Sequence, residues 1–118
     1  MRIAIIDYGA GNTQSVKYAL KRLGCEGVLT SDKEVISSSD KIIFPGVGQA
    51  SSAMKKLNSK GLDVLIPNLK QPVLGICLGM QLMCNFSDEG DVDCLKIFDS
   101  NVKRFNNLLK VPQIGWNT

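Results

Sequence analysis

The sequence predicts an α/β fold in three layers, with a mostly parallel sheet between two layers of helices. Short apolar runs rich in β-branched residues alternate with segments whose apolar residues recur at helical spacing. Most of the runs end in a glycine-containing turn, as expected where a buried strand gives way to a helix. Strands joined through helices pair in parallel by right-handed crossovers, so helices cover both faces of the sheet.

The first half of the chain contains three predicted strands, at residues 2–7, 27–30 and 41–44. A helix follows the first strand, with Asn12 or Thr13 as its cap and Gly24 at its end. A short helical turn begins near Asp32, and a longer helix after the third strand stops at Gly61.

The second half begins with a short helix around residues 62–69, which either breaks at Pro67 or ends near Pro72. A fourth strand at residues 73–76 then leads to Cys77, and residues 78–84 have helical character. Beyond Gly90 the pattern weakens, and short strands are expected around residues 95–98 and 102–105.

The composition excludes several classes of protein. The net charge is only +3 and the basic residues are dispersed, which argues against a nucleic-acid surface. No apolar run approaches membrane-spanning length, and we expect no secretory signal, because the apolar run at residues 3–6 is short and leads straight into Asp7. The four cysteines include no CxxC pair and the chain has no histidine, so the usual zinc-binding patterns are absent and we expect no metal site. We also expect no cofactor. We expect reduced thiols in a cytoplasmic protein.

Cys77 lies between Gly75 and Gly79 where a predicted strand meets a predicted helix. This arrangement is the thiol counterpart of a nucleophile elbow, a sharp turn that presents the nucleophile to substrate. A helix N-terminus favours the thiolate, and the next N–H, that of Leu78, points toward a developing oxyanion. The alternative is a buried structural cysteine, which we prefer for the other three cysteines: Cys25, Cys84 and Cys94.

Two other glycine turns end predicted strands. The turn at residues 45–48 is either an ordinary turn or, beside a thiol, the second half of an oxyanion hole. The turn at residues 8–12 could cradle a phosphate, although it matches neither GxGxxG nor a P-loop. Ligands of open parallel sheets bind beyond the carboxyl ends of the strands, so we expect both turns and Cys77 to converge.

Residues 75–81 read Gly-Ile-Cys-Leu-Gly-Met-Gln, and this Gly-x-Cys-x-Gly-x-Gln motif resembles that of class I glutamine amidotransferases. Three further segments, at residues 8–12, 45–48 and 112–117, resemble the HisH-type glutaminase subunits of imidazole glycerol phosphate synthase. The resemblance covers the whole chain but only the N-terminal part of the family's domain. We therefore expect residues 1–118 to be the N-terminal portion of a single glutamine amidotransferase domain.

The resemblance implies a cysteine-dependent glutaminase. Cys77 would attack the side-chain amide carbon of glutamine, releasing ammonia and leaving a glutamyl thioester that water hydrolyses. The N–H groups of Val47 and Leu78 would stabilise the oxyanion after a flip of the peptide between Gly46 and Val47. The implied glutamine-binding residues are Gly48, Gln81 and Glu89.

The resemblance also implies a partner, a (β/α)8 synthase subunit that receives the ammonia in a heterodimer. That enzyme makes imidazole glycerol phosphate and AICAR from PRFAR in histidine biosynthesis. The implied partner-facing residues are Gly11, Asn12, Trp116 and Asn117. The family's catalytic His-x-Glu pair has no counterpart here, so we expect residues 1–118 alone to be inactive.

Two alternatives stay open at this point. One is a paralogous amidotransferase that feeds ammonia to a synthase modifying a cell-surface sugar. The other is a non-catalytic fragment that acts as a binding module. Around the motif, we assign Met80, Leu82 and Met83 to the core, and a solvated acidic loop to three aspartates: Asp88, Asp91 and Asp93.

Overall fold

The structure is a computed structural model that describes residues 1–10, 12–88 and 90–103. Its main sheet has four strands: β1 (Ile3–Ile6), β2 (Gly27–Thr30), β3 (Lys41–Phe44) and β4 (Val73–Gly75). Five helices lie between and after them: α1 (Thr13–Arg22), α2 (Lys33–Ser38), α3 (Ala50–Ser59), α4 (Leu62–Leu65) and α5 (Leu78–Leu82). All the strand pairs of this sheet are parallel, which confirms the predicted fold class.

The order of the strands is β2-β1-β3-β4, with β1 and β3 adjacent at the centre. The chain leaves β1 toward one edge to form β2 and then returns to the other side of β1 to form β3. A crevice opens at such a reversal, beyond the carboxyl ends of the two central strands. The turns after β1 and β3 therefore flank the expected ligand site.

Apolar side chains cover both faces of the sheet. On one face, Ile6 and Phe44 pack in a large cluster with side chains of α3, α4 and α5. On the other face, Ile5 and Ile43 pack against Leu20 of α1. All four residues of β1 are buried, because this strand has a neighbour on each side and helices above and below.

The helix ends follow the predicted signals in most places. Asp32 caps α2, since its carboxylate accepts hydrogen bonds from the N–H groups of Glu34 and Val35. Asn12 is the cap residue of α1 but makes no side-chain capping bond. After α4 the chain continues as a 3-10 turn through Ile66–Asn68, so Pro67 ends the α-helix, as one of the two alternatives predicted.

Beyond α5 the chain forms a small second sheet from β5 (Phe86–Ser87), β6 (Val92–Asp93) and β7 (Asn101–Val102). The predicted strand at residues 95–98 is wrong. The N–H groups of Leu95 and Ile97 instead donate to the carbonyl oxygens of Leu82 and Met83, both at 2.8 Å. These carbonyls at the end of α5 have no partner within the helix, so the passing segment satisfies them and is unavailable for strand pairing.

The boundaries near the motif also differ slightly from the prediction, since β4 ends at Gly75 and α5 at Leu82. Val102 lies in β7 as predicted, whereas residues 104–118 lie outside the described part of the chain. No helix among the described residues combines the length and the hydropathy needed to cross a membrane.

Candidate active site

Cys77 lies between β4 and α5 and is the residue that precedes the first turn of the helix. Its backbone has φ 53° and ψ −121°, a conformation that residues other than glycine rarely adopt. Such a backbone costs on the order of 1–3 kcal/mol and persists only where the surrounding structure imposes it. Strain of this kind is typical of an elbow that presents a reactive side chain.

The four cysteines differ in their exposure to solvent. Cys77 is exposed, Cys94 is buried, and Cys25 and Cys84 are half-buried. Burial raises the pKa of the Cys94 thiol, with smaller contributions from Cys84 and Asp93. Of the three cysteines predicted to be buried, only Cys94 is fully so. Cys77 is the cysteine most accessible to a substrate.

The glycines on either side of Cys77 are required by close backbone approaches. A Cβ atom on Gly79 would overlap the carbonyl oxygen of Phe44 on the neighbouring strand. A Cβ atom on Gly75 would lie 2.8 Å from Cα of Met80, closer than such atoms come in proteins. The turn can be this sharp only because both positions lack a side chain.

The elbow is hydrogen-bonded to the last residue of β3 and to the turn that follows it. The N–H of Ile76 donates to the carbonyl oxygen of Phe44 at 3.0 Å. The N–H of Leu78 donates to the carbonyl oxygen of Gly46 at 3.2 Å. Cys77 therefore lies beside the turn at residues 45–48, called the oxyanion turn below, as the sequence predicts.

Both predicted oxyanion donors are occupied within the protein. The N–H of Val47 donates to the carbonyl oxygen of Ala10 at 2.8 Å, and that of Leu78 to Gly46 as described. The Gly46 carbonyl and the Val47 N–H belong to one peptide group, so one rotation of that group would release both donors. Breaking two such bonds costs about 1–3 kcal/mol in total. The oxyanion role of Val47 and Leu78 stays a prediction.

The third turn, after β1, lies against the oxyanion turn. Ala10 is buried and holds the Val47 N–H through its carbonyl oxygen. The ammonium group of Lys56, on α3, donates to the carbonyl oxygen of Gly9 at 2.9 Å. The expected convergence of the three turns is thus confirmed for their described residues.

The predicted glutamine-binding residues are placed in part. Gly48 is exposed with φ +100°, and a Cβ atom there would meet no atom within 4 Å. Gln81 is half-buried on α5, and its N–H donates to the carbonyl oxygen of Cys77 at 3.2 Å. Residues four apart share a helix face, so Gln81 lies on the side of Cys77. Their binding role stays a prediction.

Four predicted site residues lie outside the described part of the chain: Gly11, Glu89, Trp116 and Asn117. Asn12, the remaining partner-facing prediction, is exposed. Gly90, the next residue after Glu89, packs so closely on Ser51 of α3 that a Cβ atom on Gly90 would lie 2.7 Å from the Ser51 Cβ. The partner-facing role and the role of Glu89 stay predictions.

Two side chains near the site differ from the sequence interpretation. Met80, assigned to the core, is 53% exposed, because it points away from the face of α5 that buries Leu82. The sequence pattern places Tyr8 only in a turn, yet the residue is buried and donates its hydroxyl to the carbonyl oxygen of Pro45 at 2.8 Å. A large aromatic residue two positions after the end of a buried strand is the sequence signal for this contact. Burial raises the pKa of Tyr8, which keeps its hydroxyl a neutral donor.

The strain at Cys77 leads to a prediction about stability. Replacing Cys77 with glycine should raise the free energy of unfolding by about 1 kcal/mol, because glycine adopts a positive φ without a steric cost. Urea unfolding of the complete protein measures this difference. Cys77→Ala keeps the steric cost and is the matched control, and a glycine variant less stable than the alanine variant would contradict the prediction.

Comparison with known proteins agrees with this geometry. The profile of the family described as glutamine amidotransferase class-I matches residues 4–114. The chain belongs to the class I glutamine amidotransferases. The family membership confirms the resemblance inferred from the motif around Cys77, and the elbow described above is part of a class I glutamine amidotransferase domain.

Several curated relatives are similar to the chain along all or nearly all of its length. The imidazole glycerol phosphate synthase subunit HisH of Bacteroides thetaiotaomicron is 61% identical over 121 residues, which include 100% of this chain and 62% of the relative. The HisH subunit of Bacteroides fragilis strain YCH46 is 62% identical with the same coverage. That of Haemophilus influenzae strain Rd is 49% identical, over 99% of this chain and 59% of the relative. The chain thus spans about three fifths of the length of these relatives.

A solved structure described as a crystal structure of glutamine amidotransferase superimposes with a TM-score of 0.70. The match covers 84% of this chain and 54% of that chain, at 20% sequence identity. At this identity the likeness supports the fold, and it agrees with the parallel α/β arrangement of a class I amidotransferase.

Proposed function

We propose that the chain is the Cys77-bearing part of a glutaminase subunit that supplies ammonia to imidazole glycerol phosphate synthase. The single observation that carries this proposal is the strained, exposed Cys77 hydrogen-bonded, through its neighbours Ile76 and Leu78, to the oxyanion turn. The identity with HisH subunits supports the same assignment over the alternatives of a sugar-modifying paralogue and a binding module.

In the proposed reaction the Cys77 sulfur attacks the side-chain amide carbon of glutamine, and the C=O electrons move to the oxygen. The oxyanion is stabilised by the N–H groups of Val47 and Leu78 once the peptide between Gly46 and Val47 has rotated. The C–N bond then breaks, the nitrogen takes a proton and leaves as ammonia, and a glutamyl thioester remains on the sulfur. Water hydrolyses the thioester to glutamate and restores the thiol.

Substrate glutamine would bind on the face shared by Cys77 and Gln81. Gly48, the last residue of the oxyanion turn, leaves open space where the substrate backbone would approach closely. By the family resemblance, we propose that Glu89 also takes part in glutamine binding. Gly11, Asn12, Trp116 and Asn117 would face the synthase subunit, a (β/α)8 protein in a heterodimer.

The proton transfers need a general base and acid, and the histidine of the class's His-x-Glu pair is absent from these 118 residues, which include no histidine. General acid–base catalysis contributes typically about 10²- to 10⁴-fold. The relatives are longer than this chain, and we propose that the His-x-Glu pair of the class is supplied by the corresponding remainder of the complete subunit. No metal or cofactor takes part in the proposed reaction, which we place in the cytoplasm.

The test uses the complete subunit together with its synthase partner and glutamine labelled with heavy nitrogen at the side-chain amide. We expect release of glutamate and transfer of the label into the imidazole product. Free ammonium salt given to the synthase alone is the control for partner integrity. Absence of glutamate release would overturn the glutaminase proposal, whereas glutamate release without labelled imidazole would overturn only the choice of synthase.

A further inference from the structure

Tyr8 is the first residue of the turn after β1, and its side chain reaches across to the oxyanion turn. The residue is 1% exposed, and its ring packs against Phe44 with ring centroids 5.5 Å apart. Its hydroxyl donates to the carbonyl oxygen of Pro45 at 2.8 Å. The same hydroxyl occupies the space that a Cβ atom on Gly46 would need. Tyr8 therefore contacts the oxyanion turn directly at two consecutive residues.

Three consecutive carbonyl groups, at the end of β3 and in the first half of the oxyanion turn, each accept a hydrogen bond. Those of Phe44 and Gly46 accept from the Cys77 elbow, through the N–H groups of Ile76 and Leu78. The carbonyl between them, that of Pro45, accepts from the Tyr8 hydroxyl. The elbow is therefore hydrogen-bonded to Phe44 and Gly46, and Tyr8 is hydrogen-bonded to Pro45 between them.

If the peptide between Gly46 and Val47 rotates, one of these three bonds must break and the other two can persist. The bond from Leu78 to Gly46 must break, as must the bond from Val47 to Ala10. The bonds at Phe44 and Pro45 involve earlier peptide groups and can persist. Of the three carbonyl bonds, only the one from Ile76 to Phe44 would then remain in a variant that lacks the Tyr8 hydroxyl.

We propose that Tyr8 is a positioning residue whose hydroxyl fixes Pro45 while the next peptide group rotates, so that the Val47 N–H arrives at the correct distance from Cys77. This inference rests on the proposed glutaminase function and deepens it. Tyr8 touches neither substrate nor the reacting atoms. Its effect is on the accuracy of the oxyanion hole, where misplacement by about 1 Å can cost about 100-fold in rate.

The experiment compares Tyr8→Phe with Tyr18→Phe in the complete subunit bound to its synthase partner. Tyr8→Phe removes the hydroxyl and keeps the ring that packs on Phe44. Tyr18 is the other tyrosine of the chain and is 61% exposed, so Tyr18→Phe removes a hydroxyl at the surface as a matched control. We expect Tyr8→Phe to lower kcat for glutamine about 10-fold with KM within about twofold, as for loss of an interaction that acts in the transition state. Tyr18→Phe should leave both constants unchanged.

A second measurement does not depend on activity. Hydrogen exchange of the Val47 and Leu78 amides should be about 10-fold faster in Tyr8→Phe, since the turn that engages both is less restrained, while the amides of β1 and β3 keep their rates. This result would support the Tyr8 proposal even if the glutaminase proposal failed for lack of activity in the unmodified protein.

Three results would overturn the proposal. The first is a Tyr8→Phe protein with the kcat and the amide exchange of the unmodified protein. The second is a change in KM alone, which would assign Tyr8 to glutamine binding. The third is failure of Tyr8→Phe to fold, because the hydroxyl would then support the whole core instead of one turn.

Discussion

Replacing Cys77 with alanine is expected to lower kcat for glutamine hydrolysis by on the order of 10⁴-fold or more in the complete subunit with its partner. Removal of the nucleophile leaves only binding and oxyanion stabilisation, and in enzymes that form covalent intermediates this loss is among the largest that one side chain causes. Steady-state release of glutamate measures it. The structure supports so large an effect because Cys77 is the exposed thiol at the strained elbow.

The matched control is Cys84→Ala. Cys84 is a half-buried thiol seven residues after Cys77, just beyond the end of α5. Its loss should leave kcat within about twofold, because it does not lie on the elbow. A Cys77→Ala protein that kept a tenth or more of the unmodified activity would show that another group attacks the substrate.

Replacing Gly79 with alanine is expected to lower the free energy of unfolding by about 3 kcal/mol or more. The added methyl group would overlap the carbonyl oxygen of Phe44, which is main chain and also accepts a hydrogen bond from Ile76. Neither partner can move away without separating β4 and α5 from β3. Urea unfolding of the complete protein gives the free energy, and activity should fall as well because the elbow is displaced.

The control for this change is Gly24→Ala, after α1. Gly24 has φ +77°, yet a Cβ atom there would meet no atom within 4 Å. Its replacement should cost only about 1 kcal/mol, the cost of a positive φ for a residue with a side chain. Equal losses for the two variants would contradict the claim that close packing, and not backbone conformation, makes Gly79 necessary.

Much of the fold could be predicted because its elements are marked locally. The run at β1 is apolar and buried over its whole length, and that at β3 is apolar and buried after Lys41, which is the pattern of strands buried on both faces. The alternation of strands with helices then left few topologies open, and parallel pairing follows from the handedness of the connections. The segment at residues 95–98 misled the prediction because its role depends on the carbonyl groups at the end of α5, which are distant in sequence.

The candidate site likewise has a part that the sequence predicts and a part that depends on tertiary packing. Cys77 could be identified because strand, glycines and helix start are contiguous in the motif. The exposure of Met80 and the contact of Tyr8 with Pro45 could not, since both depend on how separate segments pack. The occupation of the Val47 and Leu78 N–H groups is likewise a consequence of packing between three turns.

The sequence by itself determined the fold class, the elbow at Cys77 and the family resemblance that the comparison confirmed, because each is written in a contiguous segment of periodic or conformationally restricted residues. Only the tertiary structure decided that the peptide between Gly46 and Val47 bonds to both neighbouring turns and that Tyr8 holds Pro45. These hydrogen bonds join groups that the whole fold brings together. Tyr8 and Pro45 are 37 positions apart, so no local sequence pattern marks the bond between them.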